Sequence, residues 1–288
     1  MILSGAQMPN NDVRRPLEAE EWGMLSTRIQ AGEYAFFVAS GFSATAGLPT
    51  GAELAERMIE KLYPNPATAV ALFRKRFGYQ GELDLPVVTE LVEEKYGRER
   101  MIRHLISCVT RWNPAPSSTH NFFHLLALKI EPSGKAMRII TTNFDELLER
   151  SLPAGREVIV TDEQYRMGIV REDEPWVLKV HGCIRAHPID TITITTTDLR
   201  KPLETWKRTA VQSILALRGL IVIGYGATDI HIKRIIVTAI RQSVRETYWV
   251  SLGEPSRQVF NALSAKDGKF LKMDAGTFFK KLGMEENN

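Results

Sequence analysis

The sequence predicts an α/β protein: a doubly wound, parallel, Rossmann-like sheet with a helical lobe inserted into it. Three observations carry that prediction. Five apolar runs of strand length, at 34–39, 138–142, 176–180, 220–224 and 247–252, alternate with longer stretches of helical periodicity. The runs are continuous in hydrophobicity, as in strands buried on both faces beneath helices. About 100 residues separate the first run from the second, about three times what one βαβ unit needs, so something is inserted between them.

Taken in order, the N-terminal segment carries Leu17, Trp22, Met24, Leu25 and Ile29 at helical spacing, an apolar stripe that suits either its own sheet or a neighbouring subunit. YAFFVA (34–39) is the first strand. Residues 51–63, 67–77, 86–96 and 98–112 have helical periodicity and are punctuated by Pro64, Pro66, Pro86, Pro114 and Pro116. Residues 51–116 are therefore expected to form the helical insertion. The Rossmann-like part takes about 17–50 and 117–283 of one domain over 1–288. Thr50, with Glu53 three residues later, makes a capping box. RIITT, WVLKV, LIVIG and TYWVSL supply the later strands. Between them, the β-branched alternation Thr191-Ile192-Thr193-Ile194-Thr195 predicts a short β segment, and a long helix is expected near 198–217. Residues 285–288 read as a frayed tail.

Composition limits the function. The 288 residues carry 37 Lys+Arg against 34 Asp+Glu, a formal charge of +3 that does not call for a nucleic-acid partner. With 44% hydrophobic and 25% charged residues the chain is ordinary for a globular protein, and no run approaches a membrane span. The first sixteen residues are too polar in their second half for a secretion signal. Only two cysteines occur, Cys108 and Cys183, which fits a reducing cytoplasm and excludes a four-cysteine zinc ribbon. Cys183 reads as a buried small residue. His120 and His124, four apart on a helix, lack an acidic or cysteine companion and are expected to pack, so no metal site is expected.

In open parallel sheets ligands bind beyond the carboxyl ends of the strands at the topological switch point, and four such ends are unusual here. The first is Ala39-Ser40-Gly41-Phe42-Ser43, small residues whose free amides suit a diphosphate, although the dinucleotide fingerprint of ordinary dehydrogenases is absent. The second is Thr141-Thr142-Asn143-Phe144-Asp145, with more polar residues than capping requires. The third is His181-Gly182, a candidate general base followed by a glycine that permits close ligand approach. At the fourth, Gly224-Tyr225-Gly226-Ala227-Thr228-Asp229, two glycines could admit a ribose or phosphate and Asp229 could cap the next helix. The carboxyl ends of parallel strands share one edge of the sheet, which points to a common cleft.

In this order the segments resemble the motifs of the sirtuin family, over roughly residues 34–282. The first looks like its Gly-Ala-Gly-x-Ser loop, the second like its Thr-Gln-Asn-x-Asp, and the third like its catalytic His-Gly. The departures separate the chain from deacylases: Ala39-Ser40-Gly41 begins the loop, Thr50-Gly51-Ala52 stands where deacylases place Asp-Phe-Arg, Thr142 replaces Gln, and the zinc cysteines are missing. Thr-Thr-Asn-Phe-Asp and Leu178-Lys179-Val180-His181-Gly182 are similar to signatures of the bacterial, zinc-ribbon-less sirtuin-like NADases of anti-phage defence.

The resemblance implies NAD as substrate and no zinc. It implies Asn143, Asp145 and His181 as catalytic residues and Ala39, Ser40, Gly41, Ser43, Thr142, Asp145, Gly224 and Gly226 as the NAD-binding set. Asp145 would take the nicotinamide carboxamide, Asn143 would orient a ribose hydroxyl or the attacking water, and His181 would be the general base. It further implies a cytoplasmic homo-oligomer gated by a separate partner, either a defence ATPase of the HerA-type hexamer class or a nuclease. A deacylase or ADP-ribosyltransferase, and a silent nucleotide-binding module, are the alternatives.

Overall fold

The computed structural model describes residues 11–63, 65–110, 114–153, 156–168, 176–216, 218–226 and 229–284. The frayed-tail expectation for 285–288 and two positions of the fourth strand-end motif, Ala227 and Thr228, lie outside them.

The chain opens with α1 (Ala19–Gln30), then β1 (Tyr34–Val38) and the single turn α2 (Ser40–Ser43). The four helices of the insertion follow: α3 (Gly51–Leu62), α4 (Pro66–Phe77), α5 (Leu85–Tyr96) and α6 (Arg98–Thr110). Their starts are written in the sequence. Thr50 and Glu53 form a reciprocal capping box at α3, while Asn65 and Asp84 accept backbone N–H groups at α4 and α5 with proline in the first turn. Leu54, Ala55, Met58, Phe73, Val88 and Leu105 turn inward to form a core of their own.

The sheet resumes through α7 (Ser118–Ile130), β2 (Arg138–Thr141), α8 (Leu147–Ser151), β3 (Glu157–Ile159), α9 (Asp162–Gly168) and β4 (Trp176–Lys179). Two short helices, α10 (Pro188–Thr191) and α11 (Thr196–Arg200), lead into α12 (Thr205–Ala216) and β5 (Gly219–Ile223). The chain then runs through α13 (Ile230–Gln242), β6 (Thr247–Val250), α14 (Arg257–Ser264), β7 (Lys269–Leu271) and α15 (Ala275–Lys281).

Among the described residues the sheet has seven strands, all parallel, in the order β3-β4-β2-β1-β5-β6-β7. Strand order reverses at β1, which pairs with β2 on one side and β5 on the other. That is the switch point, where the connections diverge and leave a crevice. Every residue of β1, β2, β4, β5, β6 and β7 is buried, as their continuous hydrophobicity requires. Side chains alternate between faces: Phe36 and Val38 join the core under α1, α7 and α15, while Ala35 and Phe37 join the one under α12, α13 and α14.

Two expectations need correction, and one open alternative is decided. Residues 191–195 make no strand. Ile192 and Ile194 alternate because both insert into the helical-lobe core, while Thr195 is spent on a capping box with Asp198. The long helix near 198–217 is broken in two, since Pro202 removes an amide and disfavours helix at Lys201, which is extended at ψ 141. The N-terminal stripe is not free for a neighbour. Leu17, Trp22, Leu25 and Ile29 are buried in the chain's own core, where Trp22 meets Phe278 edge-on at 5.8 Å; only Met24 is exposed.

Candidate active site

The loop after β1 reaches the crevice by crossing the end of β5. The Gly41 N–H donates to the Gly224 carbonyl at 3.1 Å, and a Cβ on Gly41 would lie 2.9 Å from that oxygen. Gly224, at φ +66°, has its own Cβ position 2.7 Å from the Phe42 nitrogen. These two glycines are therefore needed for backbone against backbone. The expectation that the Gly41 amide is free for a phosphate is corrected, because Gly224 already occupies it.

Ser43, one turn on, is buried and sits at the centre of a polar cluster. Its Oγ donates to Asp145 Oδ2 at 2.9 Å and accepts from Asn143 Nδ2 at 2.8 Å. Asp145 Oδ1 accepts the Leu147 N–H at 3.0 Å, which fixes the carboxylate at the start of α8. Beneath them Thr141 ties β2 to β1: its hydroxyl donates to the Val38 carbonyl at 2.8 Å and accepts the Asn143 N–H at 3.0 Å. Thr141 was legible as the first residue of the second motif, but the bridge its hydroxyl makes between the end of β1 and the Asn143 amide was not.

His181 follows β4. Its Nε2 lies 2.9 Å from Asp229 Oδ2, and Asp229 Oδ1 caps α13 by accepting the His231 and Ile232 amides at 2.8 and 3.0 Å. Burial pushes the Asp229 carboxyl up, but the His181 hydrogen bond and charge and the two amides outweigh it and hold it below the usual carboxylate range. The cap expected of Asp229 is thus also the partner of His181, which the sequence could not reveal across 48 residues. Gly182, at φ +86°, does not serve ligand approach. A Cβ there would collide with the Thr191 carbonyl, and the Thr193 N–H donates to the His181 carbonyl at 3.1 Å, so the glycine lets residues 191–193 brace the histidine.

A cavity of about 360 Å³ at the switch point is lined by Ala39, Ser40, Ser43, Thr142, Asn143, Asp145, His181 and Gly226 of the predicted set. Gly41 and Gly224 line an adjoining cavity of about 260 Å³ instead, together with Gly226 and residues 250–254 and 273–275. Sequence reasoning missed the opposite wall of the first cavity, where Leu54, Leu85 and Val109 of the helical lobe face the polar residues. A further cavity of about 400 Å³ meets His181 and Asp229 from another side and carries Arg98, Asp198, Glu204 and the buried Lys207.

The remaining candidates pack. His120 is fully buried against Phe42, with Nδ1 2.8 Å from the Ser117 hydroxyl in a capping interaction; burial pushes its pKa down to about 4, with Asp145 acting the other way. Cys108 and Cys183 are both buried and not bonded to each other, and two cysteines cannot supply a four-cysteine zinc ribbon. Among the described residues no group of three or more His, Cys, Asp or Glu side chains is placed to hold a metal ion, and no helix is long and apolar enough to cross a membrane.

Residues 137–272, from β2 to the end of β7, match the SIR2-like domain family. The fold is sirtuin-like. A Sir2 enzyme structure, solved to explain the mechanism and regulation of those enzymes, superposes on 92% of this chain and 96% of its own at a TM-score of 0.51 and 14% identity. A mutant Sir2 homologue in complex with 2′-O-acetyl ADP ribose covers 90% of this chain and 94% of its own, at 0.48 and 15% identity. No curated protein matches the sequence.

Proposed function

We propose that the chain hydrolyses NAD+ at the nicotinamide–ribose bond, giving nicotinamide, ADP-ribose and a proton. The observation that carries this reading is the convergence of the Ser43–Asn143–Asp145 cluster and the His181–Asp229 pair on one cavity at the switch point of a sirtuin-like sheet. The nicotinamide riboside end occupies that cavity, and the adenosine end lies over Gly224, Gly226 and the adjoining cavity. Asp145 accepts from the carboxamide, since each carboxylate oxygen keeps lone-pair capacity beyond its present partner. As the C–N bond breaks, nicotinamide leaves neutral and positive charge grows on the ribose, which the surrounding carboxylate stabilises. Asn143 orients a ribose hydroxyl or the incoming water, and His181, oriented by Asp229, takes the water's proton.

Hydrolysis is favoured over deacylation because the lobe facing His181 is helical and the four zinc cysteines are lacking. The cavity on the other side of His181 supports transfer to an acceptor, as an ADP-ribosyltransferase or deacylase would require, as a second reading. Through its resemblance to bacterial defence NADases, the proposed setting is cytoplasmic depletion of NAD during phage infection. The proposed assembly is a homo-oligomer gated by a hexameric ATPase or a nuclease. The test incubates purified protein with NAD+ and quantifies nicotinamide, ADP-ribose and cyclic product separately. Equal amounts of nicotinamide and ADP-ribose are expected. Nicotinamide release that depends on an added acyl-lysine peptide would overturn hydrolysis in favour of deacylation.

A further inference from the structure

The last residue of β4 is a lysine with no exposed surface, two positions before His181 and paired in register with Thr141 of β2. Its Nζ donates to the backbone carbonyl of Asp145 and to Oε1 of Glu149 on α8. Glu149 is itself buried, and its Oε2 has no hydrogen-bond partner. Burial works against the ammonium, but Glu149, Cys183 and Asp145 outweigh it, and Lys179 stays above its ordinary range.

Stability does not account for such a pair. Taking each ion from water costs several kcal/mol, and buried ion pairs are often replaced by apolar residues of similar volume at no loss of stability. What an apolar pair cannot supply is a donor to the Asp145 carbonyl. That carbonyl lies in the one segment whose position matters most, with its side chain held above by Ser43 and the Leu147 amide. The neighbouring Phe144 carbonyl accepts the Ile184 N–H at 3.0 Å, from just beyond His181. Two successive carbonyls of the Asn143–Asp145 segment are therefore tied to the strand end that bears the histidine.

We infer that Lys179 is a positioning residue, braced by Glu149, that sets the distance between the Asn143–Asp145 segment and His181. Its catalytic consequence rests on the NAD-hydrolase reading above. The test compares wild type with Lys179→Met and with the double variant Lys179→Met/Glu149→Leu, by thermal unfolding, hydrogen exchange without ligand, and NAD+ turnover. The double variant is expected to unfold at or above the wild-type temperature. Its amides at 142–147 exchange faster while those of 137–141 do not change. Its kcat falls by about 100-fold, the scale of a misplacement near 1 Å, while KM moves by less than about threefold. Three results would overturn the inference: a double variant that fails to fold, wild-type turnover in a folded one, or unchanged exchange at 142–147. If wild type does not cleave NAD+ at all, the functional reading fails, and the exchange measurement still decides whether Lys179 holds the segment.

Discussion

The two walls of the central cavity are made in different ways. The strand-end wall is polar and built from short segments: 39–43 and 142–146 are hydrogen-bonded to neighbouring strand ends, and His181 is held by Asp229 and the Thr193 amide. The facing wall is apolar and comes from helices with a separate core. The first wall presents groups at fixed positions and can stabilise changing charge; the second excludes water and fills space. Substitutions in the first should therefore change the rate of reaction, and those in the second should change binding and lobe stability.

The sharpest break falls on the polar wall. His181→Ala and Asn143→Ala are each expected to lower nicotinamide release by about 10²–10⁴-fold, the usual cost of losing a positioned general base in the first case and an orienting hydrogen-bonding group in the second. His181 is only partly buried and its removal leaves the sheet intact, so far-ultraviolet dichroism should match wild type, while loss of the bond to Asp229 should lower the unfolding temperature only modestly. A His181→Ala protein with wild-type turnover would show that the polar wall does not carry the chemistry.

Next in size is Gly182→Ala, which tests whether rate depends on the backbone beneath the histidine. The left-handed φ costs a non-glycine residue about 1–2 kcal/mol, and the new methyl must also push residues 191–192 away. Loss of the brace on His181 should reduce kcat by about tenfold or more with a lowered unfolding temperature. Gly51→Ala, at the start of α3, meets nothing within 4 Å and serves as the matched control for the fold, judged by unfolding temperature.

How much of this contrast was legible in the sequence follows from the range of the forces involved. The five long strands and the four lobe helices were readable because hydrophobic periodicity and capping are local signals. The two three-residue strands, β3 and β7, are too short to show a period. Residues 191–195 misled because alternation reports burial of every second side chain, and a loop inserted into a helical core satisfies that as well as a strand does. Asn143, Asp145 and His181 stood out as polar residues beyond apolar runs. Thr141, Asp229 and Lys179 stood in the same motifs, but their pairings with these residues did not show. Thr141 and Lys179 lie within strands and Asp229 reads as a cap, so their polar contacts emerge only when distant segments meet.

Asp229→Asn probes the same wall through pH. The folded carboxyl sits below its usual range, so the charged form is the one the fold favours. The resulting stabilisation is fully present above the unfolded value of about 3.9 and is lost as pH falls through the lower folded value. Wild type should therefore unfold at a higher temperature than Asp229→Asn at pH 6, with the gap closing in more acidic buffer. An amide still caps α13 but holds His181 without charge, and turnover near neutrality should fall by about tenfold or less. A stability gap that widens toward acid would contradict the assignment of the His181–Asp229 bond.

The smallest effect is expected on the apolar wall. Leu85 stands at the first turn of α5, partly exposed, and faces the cavity across from Asn143 and Asp145. Truncation to alanine removes apolar contact without touching the hydrogen-bonded segments. Each buried CH₂ is worth about 0.8 kcal/mol, and only part of the leucine is involved, so the loss in affinity should correspond to a KM about three- to tenfold higher. Because that contact is equally available to bound NAD+ and to the transition state, kcat should stay within about twofold of wild type. Measuring kcat and KM separately decides the matter. A large fall in kcat at unchanged KM would mean that the lobe also takes part in placing the reacting groups, and the division between the two walls would have to be redrawn.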